Sequence, residues 1–69
     1  MAIGTVKWFN ATKGFGFIQP EDGGPDVYVH VLALEKAGMS KLTEGQCLRY
    51  ERIQGSNGKY AAENLFEVN

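Results

Sequence analysis

The sequence is poor in the residues that mark secreted, metal-bound and membrane-spanning chains. Cys47 is its single cysteine and His30 its single histidine, so no internal disulfide can form and no Cys/His cluster exists at metal-ligand spacing. A reducing, cytoplasmic compartment is the expected setting. No run approaches the roughly 18 apolar residues that a membrane helix requires, and the opening MAIGTVKWFN lacks the basic segment and apolar stretch of a signal peptide. Neither secretion nor a membrane partner is expected. Charge of one sign is also scarce, with a net charge of −1, which argues against a partner held mainly by overall charge. Nucleic acid stays open, because a few lysines on one face suffice where another interaction supplies most of the affinity. The acids Glu21, Asp22, Glu35, Glu44, Glu51, Glu63 and Glu67 are spread along the chain and read as solvated surface.

Catalytic signatures are missing too. There is no G-x-S-x-G elbow and no phosphate loop, and GFGF has neither the third glycine nor the following helix of a dinucleotide site. Glu21 and Asp22 are neighbouring acids in a turn, with no pocket implied. The chain is expected to be no enzyme, with no cofactor, metal or small-molecule substrate. At 69 residues it reads as one domain, 1–69, folded throughout and with a small core, since a chain this short buries only about 60% of the surface it exposes when unfolded.

What is present is strand pattern. Segments 3–10, 14–19, 26–31, 46–54 and 59–68 are rich in β-branched and aromatic residues and are separated by the turn-rich NATKG, PEDGGPD and GSNG. The stretch LALEKAGMSKLTEG breaks the pattern and reads as a long loop, with a helical turn at most across 34–37 before Gly38. Short strands without a long helix predict an all-β fold, and closure into a barrel would protect the strand edges.

The segment KGFGFIQPEDGGPDVYVHV carries the functional signal. Successive strand side chains face opposite ways, so Val27, Val29 and Val31 are assigned to the core and Tyr28 and His30 to the other face. Gly16 and Ile18 likewise share a face, leaving Phe15 and Phe17 on its reverse. If the two strands pair as a hairpin, the four rings form one patch. Gly14 and Gly16 leave the opposite face nearly bare and permit strong curvature. Trp8 with Lys7 beside it, and Lys13 just before the phenylalanines, interleave rings with cations: a π-face for each base and a charge for the phosphate between bases.

With these residues in place, the chain resembles the bacterial cold-shock proteins over essentially its whole length. GTVKWFNATKGFGFI contains the family's first ribonucleoprotein motif, DVYVHV matches the second, and LTEGQ and AAENL fit later segments. The resemblance implies a five-stranded antiparallel β-barrel of the oligonucleotide-binding type. It further implies that Trp8, Phe15, Phe17, Tyr28 and His30 stack on bases of single-stranded RNA or DNA, that Lys7 and Lys13 meet the backbone, and that Asn10 and Asp26 touch base edges. The function implied is an RNA chaperone that needs no ATP, acting in cold shock or in transcription and translation; a monomer is expected on the separate ground that the sequence shows no second self-complementary apolar stripe. Val31 and Met39 stand where many relatives carry an aromatic, and Leu32 replaces a small polar residue. Tyr60 stands where a polar side chain is more usual and offers a ring at the rim, beside Lys59 as a third candidate phosphate contact.

Each residue also has an ordinary reading. An isolated phenylalanine usually packs in a core, but here the valine face already claims it. Phe9 fits core and patch equally, and Phe66 is expected to pack structurally. Cys47 reads as a small buried hydrophobe. Lys36, Lys41, Arg49 and Arg52 read as solvated charges. The alternative function is a small barrel that docks extended peptides on its aromatic face.

Overall fold

The sheet is built by the alternation that the sequence carries. In the computed structural model, which describes residues 1–68, the strands are β1 (Ala2–Asn10), β2 (Phe15–Pro20), β3 (Val27–His30), β4 (Cys47–Gln54) and β5 (Tyr60–Glu67), with a helix α1 (Val31–Lys36) between β3 and β4. Asn69, the last residue of the expected domain, lies outside the described residues. Every strand end falls within one residue of the expected boundary.

The strands close into a barrel in the order β1-β2-β3-β5-β4. The expected purely antiparallel arrangement is corrected at one seam: β3 runs parallel to β5, joined at Tyr28↔Ala61, while the other pairs are antiparallel. The reason is topological. A closed ring with an odd number of strands cannot alternate direction at every neighbour, so one parallel seam is unavoidable.

Val6, Ile18, Val27, Val29, Leu48, Tyr50, Ala62 and Leu65 point inward from the strands and are buried. Leu42 joins them from the loop, and α1 adds Ala33 and Leu34. Gly16 is buried where β2 crosses β1: a Cβ there would lie 2.8 Å from Phe9 Cα and still closer to the Trp8 carbonyl oxygen. No side chain fits that crossing.

Two bulges break the alternation. Between Val6↔Ile18 and Trp8↔Phe17, β1 advances two residues while β2 advances one, so Lys7 is the extra residue and inward and outward positions exchange beyond it. Phe9, which the sequence leaves undecided, therefore packs against the core opposite Gly16. Between Arg49↔Phe66 and Glu51↔Glu63, β5 advances three residues while β4 advances two. Asn64 sits there at φ 51°, a left-handed conformation that asparagine tolerates better than most side chains, and its amide donates to Glu51 Oε1. This second exchange turns Leu65 inward and Phe66 outward, leaving Phe66 54% exposed. The expected structural packing of Phe66 is thereby corrected.

Further corrections lie at the end of β3. Val31, expected as a core residue of the strand, is instead the first residue of α1 and only half-buried. The His30 side chain caps the helix by accepting the Leu32 amide at 3.1 Å, and the Val31 amide donates to Gly14 O at 2.8 Å. The expected long loop thus begins with a short helix, three residues earlier than the turn assigned to 34–37. Its end follows the sequence signal: Gly38 adopts φ 76°, the Met39 amide donates to Leu34 O at 2.8 Å and the Gly38 amide to Glu35 O at 3.1 Å. This is the Schellman pattern that a glycine makes possible. Cys47 is half-buried rather than enclosed.

Candidate nucleic-acid interface

The interface begins at the turn between β1 and β2. Asn10 accepts the Lys13 amide through Oδ1 at 3.0 Å and the Gly14 amide through its carbonyl at 2.8 Å. Gly14 takes φ 80°, a value that favours glycine. The turn delivers Phe15 and Phe17 to the outer face, where β2 pairs with β3 in the register Phe15↔His30 and Phe17↔Tyr28. The Lys7 bulge sets Trp8 opposite Phe17 on the same face.

The five rings form one connected layer across three strands. Trp8 lies 5.5 Å from Phe15 and 5.4 Å from Phe17 between ring centroids. Phe15 stacks on Tyr28 at 5.7 Å with 23° between planes, and Tyr28 lies 6.3 Å from His30. Edge contacts between Phe15 and Phe17 and between Phe17 and Tyr28 complete the layer. Trp8 is 39% exposed, while Phe15, Phe17, Tyr28 and His30 are half-buried. The rings hold one another in place and still offer their outer surfaces, so the layer is ordered before any ligand arrives.

The polar candidates are engaged to different degrees. Lys7 Nζ and Asp26 Oδ2 form an ion pair at 3.0 Å on the flank of the layer, so the charge expected for a phosphate is partly neutralised by the acid expected for a base edge. Asn10 Oδ1 serves the turn. Lys13 and Lys59 are exposed, with Lys59 placed in the β4–β5 turn, where its amide donates to Asn57 Oδ1 at 3.0 Å. His30 offers its ring to the layer while Nδ1, as acceptor from Leu32, serves the helix; the neutral ring then carries its proton on Nε2.

Tyr60 is set apart from the layer. It is half-buried against the core, and the Arg52 guanidinium covers its ring at 4.8 Å from the centroid. Sequence reasoning left Arg52 as a solvated charge and did not select Ile53, which is 49% exposed beside Ala61. The signal for both lay in cross-strand register, since Arg52, Ile53 and Tyr60 are brought together by the β4–β5 hairpin. Val31 and Leu32 lie at the start of α1, with Leu32 58% exposed, and Met39 packs partly against the core. Among the described residues no cluster of three or more His, Cys, Asp or Glu could hold a metal ion. Among the same residues, no helix is long and apolar enough to cross a membrane.

Residues 2–67 match the family described as the 'Cold-shock' DNA-binding domain. The chain is 59% identical over 66 residues to a probable cold shock protein of Sinorhizobium fredii, covering 94% of this chain and 96% of that one. It is 58% identical, with the same coverage, to the cold shock protein CspA of Rhizobium meliloti. Against the cold shock-like protein CspE of Escherichia coli, identity is 52% over 59 residues, 86% of each chain.

Proposed function

The chain belongs to the cold-shock domain family, and on that premise we propose that it binds single-stranded RNA and single-stranded DNA with little sequence demand. Bases stack on Trp8, Phe15, Phe17, Tyr28 and His30. The observation that carries the reading is the connected ring layer on the outer face of β1, β2 and β3. A duplex hides its base faces, so a layer of rings selects the unpaired strand. Every base has a π-face, so such a layer discriminates little among sequences.

Stacking contributes ~1–3 kcal/mol per base. A few occupied positions therefore supply much of the ~8 kcal/mol of micromolar binding, although such contributions do not simply add. Lys13 and Lys59 supply phosphate contacts, with Lys7 as a third once it leaves Asp26. Holding bases unpaired by binding alone would melt RNA secondary structure without ATP, which is the chaperone activity we assign to the protein.

The test is Trp8 fluorescence during titration with a single-stranded thymidine hexanucleotide and with the matching duplex. Saturable quenching by the single strand alone is the expected result. Equal quenching by the duplex, or no response from the folded protein, would overturn the reading.

A further inference from the structure

The outer-face register does not stop at the last ring. Phe17 pairs with Tyr28, Tyr28 with Ala61 across the parallel seam, and Ala61 with Ile53. The row therefore runs aromatic, aromatic, methyl, aliphatic around the barrel from β2 to β4. The small side chain of Ala61 leaves a depression between Tyr28 and Ile53, and all three line one groove with Lys59 at its rim. Tyr60 forms part of the same wall, with Arg52 seated on its ring at 4.8 Å.

We propose that this groove is a further nucleobase subsite, in which Tyr28 and Ile53 flank a base lying over Ala61 while Lys59 meets its phosphate. The inference rests on the single-strand reading above. It extends the track beyond the ring layer onto β5 and β4. Continuity selects the occupant: the groove shares Phe17, Asp26 and Tyr28 with the interface, so the next nucleotide of a strand crossing Tyr28 is delivered to it. Its chemistry fits the same ligand. Ile53 is 49% exposed, and an apolar wall facing a tyrosine is covered favourably by the flat, weakly hydrated face of a base. A cation stands at the rim, where a phosphate linking two stacked bases would pass.

The assignment makes Ile53 a ligand contact and Ala61 a residue selected for smallness. The experiment follows affinity against strand length, using oligothymidylates from trinucleotide to octanucleotide and Trp8 quenching as the signal. Wild-type protein should show a step of about 5-fold or more at the added nucleotide that reaches the groove. Ile53→Asp, which removes the apolar wall at an exposed position, and Ala61→Leu, which fills the depression, should each abolish that step and leave the affinity for shorter strands unchanged. A step retained in both variants would overturn the subsite and leave stacking on the ring layer intact. Failure of every oligothymidylate to bind the wild-type protein would instead remove the single-strand reading, and the subsite with it.

Discussion

Trp8 stands across from Phe17 on the outer face, with ring centroids 5.4 Å apart, although counting by twos from the buried Val6 assigns it to the core. Lys7 is the cause. As the extra residue of a bulge it exchanges the two faces of β1, sending Trp8 out and Phe9 in. The same residue then reaches Asp26 at 3.0 Å, so one irregularity both completes the ring layer and places a charge at its flank.

That exchange separates two substitutions at adjacent positions. Trp8→Ala should weaken oligonucleotide binding by ~1–3 kcal/mol with little change in stability. Phe9→Ala should cost about 2–3 kcal/mol of stability, below the range for a fully enclosed phenylalanine because Phe9 is half-buried. Calorimetric titration and urea unfolding of both variants measure the two quantities without relying on tryptophan emission.

Gly16→Ala should destabilise the barrel by at least about 2 kcal/mol. Its new methyl would press on the Trp8 carbonyl and on Phe9 Cα, both backbone atoms that cannot swing away. A thermal melt decides the point, and an unchanged midpoint would mean that β1 and β2 separate more readily than their register implies.

The Tyr50 hydroxyl is buried without a hydrogen-bond partner among the described residues. Burial pushes its pKa above the usual tyrosine value; Arg52 lowers it and Asp22 raises it to smaller extents. Tyr50→Phe should therefore stabilise the protein by about 1 kcal/mol at neutral pH, because an unmet polar group is removed with little change of shape. The sign at high pH follows from linkage. The folded state holds the phenolic proton more tightly than the unfolded chain, so this contribution is complete below about pH 10 and is lost as pH rises through the folded pKa. The variant should lose less stability than wild type in alkaline urea titrations.

His30 has two duties that different substitutions separate. Its ring belongs to the aromatic layer and its Nδ1 caps α1. His30→Ala should lose binding together with about 0.5–2 kcal/mol of stability. His30→Asn, which supplies a good capping oxygen, should recover most of the stability and none of the stacking. Paired unfolding and binding measurements test whether one side chain serves both roles.

Salt dependence reports how many cations the bound strand engages. With Lys7 held by Asp26, contacts from Lys13 and Lys59 predict that log K falls with log salt at a slope of about −1.4 for a single strand. Asp26→Asn releases Lys7 and should steepen the slope to about −2.1. Stability should change by less than about 1 kcal/mol, since the pair is solvent-exposed, at 52% and 37% of the two side chains. A slope steeper than about −4 in the wild type would show that charge rather than stacking dominates.

Local pattern alone located the five strands and set Phe15 and Phe17 on one face of their strand and Tyr28 and His30 on one face of theirs. Alternation is a property of consecutive residues, and the glycines of the turns announce where it stops. The same local information placed Val27, Val29 and Ile18 inside, and it marked Gly38 as the end of a helix.

Residues separated in the sequence needed the closed barrel to bring them together. The parallel seam between β3 and β5 comes from closing an odd ring of strands, a global condition that no short window contains. The bulges at Lys7 and Asn64 are stable because the facing strands impose their own spacing, and they decide the fate of Trp8, Phe9, Leu65 and Phe66. Alternation survives any window that lacks a bulge, so the sequence determined which residues the strands contain. Only the pairing of distant strands decided which residues beyond each bulge face inward and which face outward.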